Sequence, residues 1–413
     1  MKRKLVFISI FLISIQLQAQ TQYLLIADRV FDGDTMHTGW QVLVTDNKIE
    51  SIGPKLVTSS KCEVIKLPGT TLMPGMIEGH SHILLHPYNE TSWTDQVLFE
   101  SEAERIVRAT SHLQASLRAG ITSMRDLGTE GAGYADIGIK QSLIKKLIIG
   151  PDLQCAGKAI VATGSYGPKS AAFIPPLGAE AADGNELIKV VRDQIGYGVD
   201  VIKIYADYRW GINNVAMPTF SIDEIKSIVE TAHSAGRPVV AHASTKEGMR
   251  RAILGGVNTI EHGDEGDQEI FDLMKSYHVA LCPTLAAGEA ILGYNGWKKN
   301  IDSIPERIKS KRKSYAAALR TGVDIVFGGD VGVFAHGDNV RELILMNEYG
   351  MKSIEVLKCA TSGNADLLQF KNKGRLKSGY HADIIACKGD PIVGLKALYD
   401  IRFVMKSGKI ILP

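Results

Sequence analysis

The sequence predicts an α/β fold, a (β/α)8 TIM barrel with a small β-sandwich domain built from both chain ends. Three observations carry this. From 72 to 371, apolar strand-like runs recur with helical segments after them. The terminal segments, 20–71 and 372–413, hold short β-branched runs split by turn signals. The first strand of the middle region ends in His80-Ser81-His82. An open doubly wound sheet would want a Gly-rich phosphate loop there instead.

Composition narrows the class of function. The chain has 413 residues, 45% of them hydrophobic, with 47 Lys+Arg against 45 Asp+Glu. That excludes disorder as the main state. A net charge of +2, with no basic run beyond the N-terminus, leaves no electrostatic footprint for nucleic acid, so the expected partner is a small molecule. Five scattered cysteines exclude a disulfide scaffold and a CxxC zinc site, although one disulfide stays open.

The first 19 residues read as an export signal. Met1-Lys2-Arg3-Lys4 is a basic n-region, Leu5 to Ile15 an apolar h-region too short to span a bilayer, and Leu17-Gln18-Ala19 offers a small residue for cleavage. The mature protein is therefore expected to be periplasmic or secreted, with no stable membrane anchor. Removing 1–19 takes away three cations and no anion, leaving 44 Lys+Arg against 45 Asp+Glu, a formal −1.

The elements follow in order. Strands are expected at 23–31, 41–45, 48–52 and 62–66, separated by Asp-Gly, Asp-Asn and Gly-Pro turns, and again at 382–387, 401–405 and 410–412. Neither terminal segment is large enough for a core of its own, so the two should pair. In the middle, strands are expected at 72–80, 120–127, 152–160, 199–205, 238–243, 257–262, 279–284 and 323–330. Capping boxes at Ser101–Glu104, Ser221–Glu224 and Ser244–Glu247 start helices that stop at Gly120, at Gly236 with Pro238, and at Gly255-Gly256.

The polar residues at strand ends carry the chemistry. His80 and His82, at i and i+2, put both imidazoles on one face of a strand and so toward one divalent metal. Lys203 sits inside an apolar run, where an ammonium is costly unless neutralised or paired. His242 closes the fifth strand, His262 the sixth and Asp330 the eighth. Each has an ordinary reading: Lys203 could snorkel, a histidine could be a hydrogen-bonded core residue, and Asp330 could cap a helix. Such independent accidents do not readily produce the order His-His-Lys-His-His-Asp, always at strand C-termini.

This ordered set resembles the amidohydrolase superfamily of metal-dependent hydrolases, over essentially the whole mature chain. The resemblance implies that His80, His82 and Asp330 bind one divalent ion and His242 and His262 a second. It also implies that Lys203, carboxylated by CO2 to a carbamate, bridges the two. Zinc is the default for imidazole-rich ligation, with manganese, cobalt and iron open. Asp330 is then the candidate to take a proton from the attacking water and pass it to the departing amine. Segments 374–383 and 360–365 resemble the family's re-entry into the sandwich and its last barrel helix. Relatives often assemble into homo-oligomers, and no interface signature distinguishes this chain.

Around the ligands, 328–339 and 203–211 look nearest to the imidazolonepropionase-like and Xaa-Pro dipeptidase-like branch. A dipeptidase must neutralise its substrate's carboxylate, for which Tyr166, Lys169, Tyr208, Arg209 and His336 are the candidates at the barrel mouth. Each is otherwise a solvated loop residue. Many relatives have a histidine after the third strand, whereas this chain reads Ala162-Thr163-Gly164-Ser165-Tyr166-Gly167-Pro168. The leading expectation is cleavage of a C–N amide bond in dipeptides, Xaa-Pro or similar, or in N-acyl amino acids. Cyclic amides or phosphotriesters at the same site form a second reading. A non-catalytic binding protein is a third, disfavoured because all six ligand positions are filled.

Overall fold

The computed structural model describes residues 21–168 and 178–413. The expected export signal, 1–19, and the candidate Lys169 lie outside the described residues. The fold is mixed α/β. Among the described residues no helix is long and apolar enough to cross a membrane. All five cysteines are free thiols.

Both chain ends enter one eight-stranded sheet. Across it lie Lys409–Leu412, Ile401–Lys406, Ile384–Lys388, Glu63–Pro74, Gln22–Phe31, Gln41–Thr45 and Lys48–Gly53, with Met36–Thr38 paired to Gln22–Phe31 off this path. Strand alternation gives the sheet two buried faces. Leu72, Ile384, Ala386, Phe403 and Met405 pack with Leu25, Val42, Val44 and Ile49 into a small separate core. Phe31, Met73, Ile385, Cys387 and Val404 join the main core.

One residue separates this sheet from the strand that carries the first two histidines. Glu63–Pro74 is followed by Gly75 and then by Met76–Ser81. A Cβ on Gly75 would stand 2.2 Å from both Thr122 Cγ2 and Thr122 Oγ1, so the crossing requires glycine.

The parallel strands of the middle region fall into two sheets. Met76–Ser81, Ile121–Asp126 and Asp152–Cys155 form the first. The second holds Glu180–Ala181, Ile160–Val161, Ile202–Tyr205, Val239–Ala243, Thr259–His262 and Ala280–Cys282. Two expected strands are altered. The run 152–160 is broken at Gly157, whose φ of 67° turns the chain so that its halves pair in different sheets. In place of a strand, the run 323–330 has one isolated bridge, Leu281 with Ile325, and Val331 just beyond it bridges Ser81. The Gly328-Gly329 pair and a left-handed Asp330 (φ 62°) break its ladder. Its backbone still bonds on both sides: Gly79 N–H donates to Phe327 O at 2.9 Å, and Val326 N–H to Leu281 O at 2.8 Å.

The helix starts refine the capping expectations. Ser221 and Glu224 complete a reciprocal box. Ser101 accepts from the Glu104 N–H, but the Glu104 carboxylate turns to Arg108. The third helix begins one residue late, capped by Thr245, because Asp207 accepts the Ser244 and Thr245 N–H groups at 2.9 and 2.7 Å.

Candidate active site

The strand ends converge on a cavity of about 680 Å³ lined by His80, His82, His242, His262 and Asp330 among others. His80, His82 and Asp330 each offer a ligand atom within 4.8 Å of the other two. His80 Nδ1–H donates to Glu261 Oε2 at 2.8 Å, and His82 Nδ1–H to the Gly128 carbonyl at 2.9 Å. Those bonds orient the rings so that both Nε2 atoms face Asp330 Oδ1, at 3.5 and 3.3 Å. That oxygen is buried and has no hydrogen-bond partner among the described residues.

His242 and His262 stand beside this trio. Their ring centroids are 4.4 Å apart, and His262 is 5.3 Å from His80. His262 has a left-handed backbone (φ 78°), and its Nδ1 lies 2.8 Å from Thr284 Oγ1. Such strain in a non-glycine residue is characteristic of functional sites. Lys203 is 1% exposed and has neither a hydrogen bond nor an ion pair among the described residues.

Burial sets the proton inventory. It pushes His80 down to about 4 and His242 to about 3, holds His262 well below the ordinary imidazole value, and lowers Lys203. At His82 burial also acts downward, but the Asp330 carboxylate overrides it and raises the group to about 9. Burial would raise Asp330; instead His80 and His82 hold it at about 2.

Two buried carboxylates organise the cluster from behind. Glu261 accepts from His80, from Arg125 Nη2 at 3.0 Å and from Thr259 Oγ1 at 2.5 Å. Glu78 Oε1 accepts the N–H groups of His80 (3.1 Å) and Gly329 (2.9 Å), and its Oε2 accepts from Asn339 Nδ2 at 2.8 Å. Glu78 thereby ties the strand bearing the histidine pair to the segment bearing Asp330.

Residues 71–411 match the amidohydrolase family. The chain belongs to that family. Ochratoxinase from Aspergillus niger is 29% identical over 419 residues, spanning 92% of this chain and 84% of its own. The crystal structure of A. niger ochratoxinase has a TM-score of 0.81 at 26% identity, covering 96% of each chain. A Xaa-Pro dipeptidase with methionine bound in its active site has a TM-score of 0.82 at 28% identity, covering 95% of this chain and 100% of its own.

In this amidohydrolase the donor set suits divalent cations. The imidazoles of His80, His242 and His262 favour the neutral form, which is the ligating one, and the unpartnered Asp330 Oδ1 is an anionic oxygen at the centre. A second grouping, His80, Glu261 and Cys282, is the orienting layer: Glu261 is engaged by Arg125, and burial keeps the Cys282 thiol protonated.

The substrate candidates separate in space. Tyr166, Tyr208 and Arg209 line the cavity. His336 does not: its ring stacks on His112 with centroids 4.2 Å apart, and its Nε2 donates to Leu85 O at 3.2 Å. Helix Glu102–Arg118 supplies His112 and holds His336 away from the mouth.

Sequence reasoning did not single out Glu261, Glu130 or Tyr205. Glu261 carries the same signal as Lys203, a charge inside an apolar strand, but the adjacent His262 is the stronger ligand signal. Glu130 lies in the loop Gly128-Thr129-Glu130-Gly131, which looks like solvated turn; no local pattern marks it.

Proposed function

We propose that this chain is a binuclear metal-dependent amidohydrolase that cleaves a C–N amide bond in dipeptides or N-acyl amino acids. The observation that carries the reading is the meeting of His80, His82 and Asp330 within 4.8 Å, with His242, His262 and Lys203 packed against them. The two parallel sheets are arcs of one (β/α)8 barrel, joined through 325–331. The terminal sheet folds over its own core as a sandwich, and residues 1–19 direct export.

Divalent cations, when bound, supply Lewis acidity toward the amide carbonyl and acidify an attacking water. His80 and His82 would hold one through Nε2, and His242 and His262 the other. The Lys203 amine, whose charged form burial disfavours, would add to CO2 with release of one proton, and the resulting carbamate would offer oxygen ligands to the cations. Asp330 is the proton carrier. Oδ1 faces the histidines, and Oδ2 takes the proton from water and returns it to the departing amine nitrogen. Relatives acting on dipeptides and on ochratoxin support amide substrates, and Arg209 at the rim suits a substrate carboxylate.

The test joins metal content with a substrate panel. Wild-type protein should carry two ions per folded chain, and Lys203→Met should fold and carry no more than one. Dipeptides and N-acyl amino acids should be hydrolysed in preference to lactones, hydantoins and phosphotriesters. Activity confined to the cyclic or phosphoryl compounds, or a single ion in the wild type, refutes the proposal.

A further inference from the structure

Glu130 stands on the cavity wall, 2% exposed, on a left-handed backbone with φ of 50°. Its Oε2 accepts from Trp93 Nε1–H at 3.0 Å and from the Tyr166 hydroxyl at 2.6 Å. Among the described residues its Oε1 has only the Tyr205 hydroxyl, at 3.4 Å. Tyr166 lies within aromatic contact of Trp93, Tyr205 and Tyr208, at centroid distances of 5.3, 4.4 and 4.8 Å.

These donors are neutral. They hold the carboxylate without bringing a cation into direct hydrogen-bonding contact, and a buried charge is costly unless paired. Arg105 supplies a nearby positive charge but no hydrogen bond to the carboxylate: its guanidinium donates to the backbone carbonyls of Leu84, Glu130 and Thr129. The carboxylate lies beside the histidine cluster. Glu130 Oε1 and His82 Cε1 lie 3.4 and 3.6 Å from the point a Cβ on Gly128 would occupy.

We infer that Glu130, walled by Trp93, Tyr166 and Tyr205, is the subsite for the substrate's α-ammonium, which selects dipeptides with a free N-terminus over N-acyl amino acids. The inference rests on the proposed amide hydrolysis and sharpens its substrate class. An α-ammonium is one carbon from the scissile carbonyl, so a cation held at Oε1 sets that carbonyl beside His82 and Asp330. It also gives Oε1 a directly hydrogen-bonded cation, and the aromatic rings favour a cation further. An N-acyl group brings a neutral surface against the same carboxylate and leaves Oε1 without that charged partner.

The experiment uses the full, metal-loaded protein and a matched pair: Ala-Leu and N-acetyl-Ala-Leu for turnover, and their uncleavable hydroxyethylene isosteres for calorimetric binding. Wild type should bind the free-amine isostere at least about tenfold more tightly than the acetylated one. Glu130→Gln should raise KM for Ala-Leu by about ten- to a hundredfold, leave the acetylated isostere's affinity equal or higher and keep two ions per chain. Tyr166→Phe, which removes one donor and no charge, should give a smaller loss in the same sense and stands in if Glu130→Gln fails to fold. Equal or tighter wild-type binding of the acetylated isostere overturns the inference, as does an equal loss for both isosteres in either variant. Hydrolysis of neither substrate refutes the dipeptidase reading alone, since the isostere affinities still decide the role of Glu130.

Discussion

Replacing Glu261 with glutamine keeps its shape and removes its charge. The residue is fully buried between His80, Arg125 and Thr259, and the Arg125 side chain is 3% exposed. Arg125 Nε already donates to Gly79 O at 2.7 Å, and among the described residues Glu261 is the carboxylate its cation pairs with. Removing one partner of a buried pair costs about 3–5 kcal/mol, and because glutamine retains one acceptor oxygen the expected loss is about 3 kcal/mol. The amide can also present its NH2 to His80 Nδ1, which moves the imidazole proton to Nε2 and spoils that ligand. Metal affinity should then fall about 10–100-fold.

Urea unfolding of the metal-free protein reads the first effect, and competition with a chelator reads the second. Adding Arg125→Met should recover more than about 1 kcal/mol, because the stranded cation is gone. The pH dependence has a definite sign. Burial would raise Glu261, but Arg125 and His80 hold it well below the usual carboxylate range. Its stabilisation is complete above its unfolded value of about 4.3 and disappears as pH falls through the lower folded value, so the variant should show a shallower acid limb. A stability loss below about 1 kcal/mol together with unchanged metal affinity would refute the assignment of Glu261 as the orienting anion.

Three further outcomes are expected. Ser221→Ala removes the reciprocal cap of helix Ile222–Ser234 and should cost about 1 kcal/mol, read as a small fall in Tm. Gly75→Ala forces a Cβ into Thr122 and should cost about 1–3 kcal/mol in chemical denaturation, with Thr122→Gly restoring much of it. Asp383, paired with Lys373 and Lys406, is held well below the carboxylate range against burial. Its contribution is present above about pH 3.9 and lost as pH falls further, so Asp383→Asn should lower stability at neutral pH and weaken its acid dependence.

Much of the fold was legible because the chain repeats strong local signals. The terminal strands fall within a few residues of the β-branched runs, and Gly256 ends its helix in the left-handed conformation expected of it. The six ligand candidates were legible because a charged or imidazole side chain at the end of an apolar strand is conspicuous. Other features depend on contacts distant in sequence. Asp207 delays the start of a helix beyond Ser244, and His112 draws His336 from the mouth. Glu130 gains meaning only where Trp93, Tyr166 and Tyr205 surround it. No window of sequence contains those encounters.

The crossing at Gly75 makes the metal-binding strand an extension of the terminal sheet. Ile384–Lys388 pairs antiparallel with Thr70–Pro74, and Thr71 Oγ1 donates to Gly389 O, 318 positions further along the chain. During synthesis the base of the His80–His82 strand therefore stays an unpaired edge until the far segment has emerged. Closing so long a loop is slow, and an open strand edge invites pairing with other chains. Truncation before Ile384 should consequently damage metal loading and solubility together, although the deleted residues contribute no ligand.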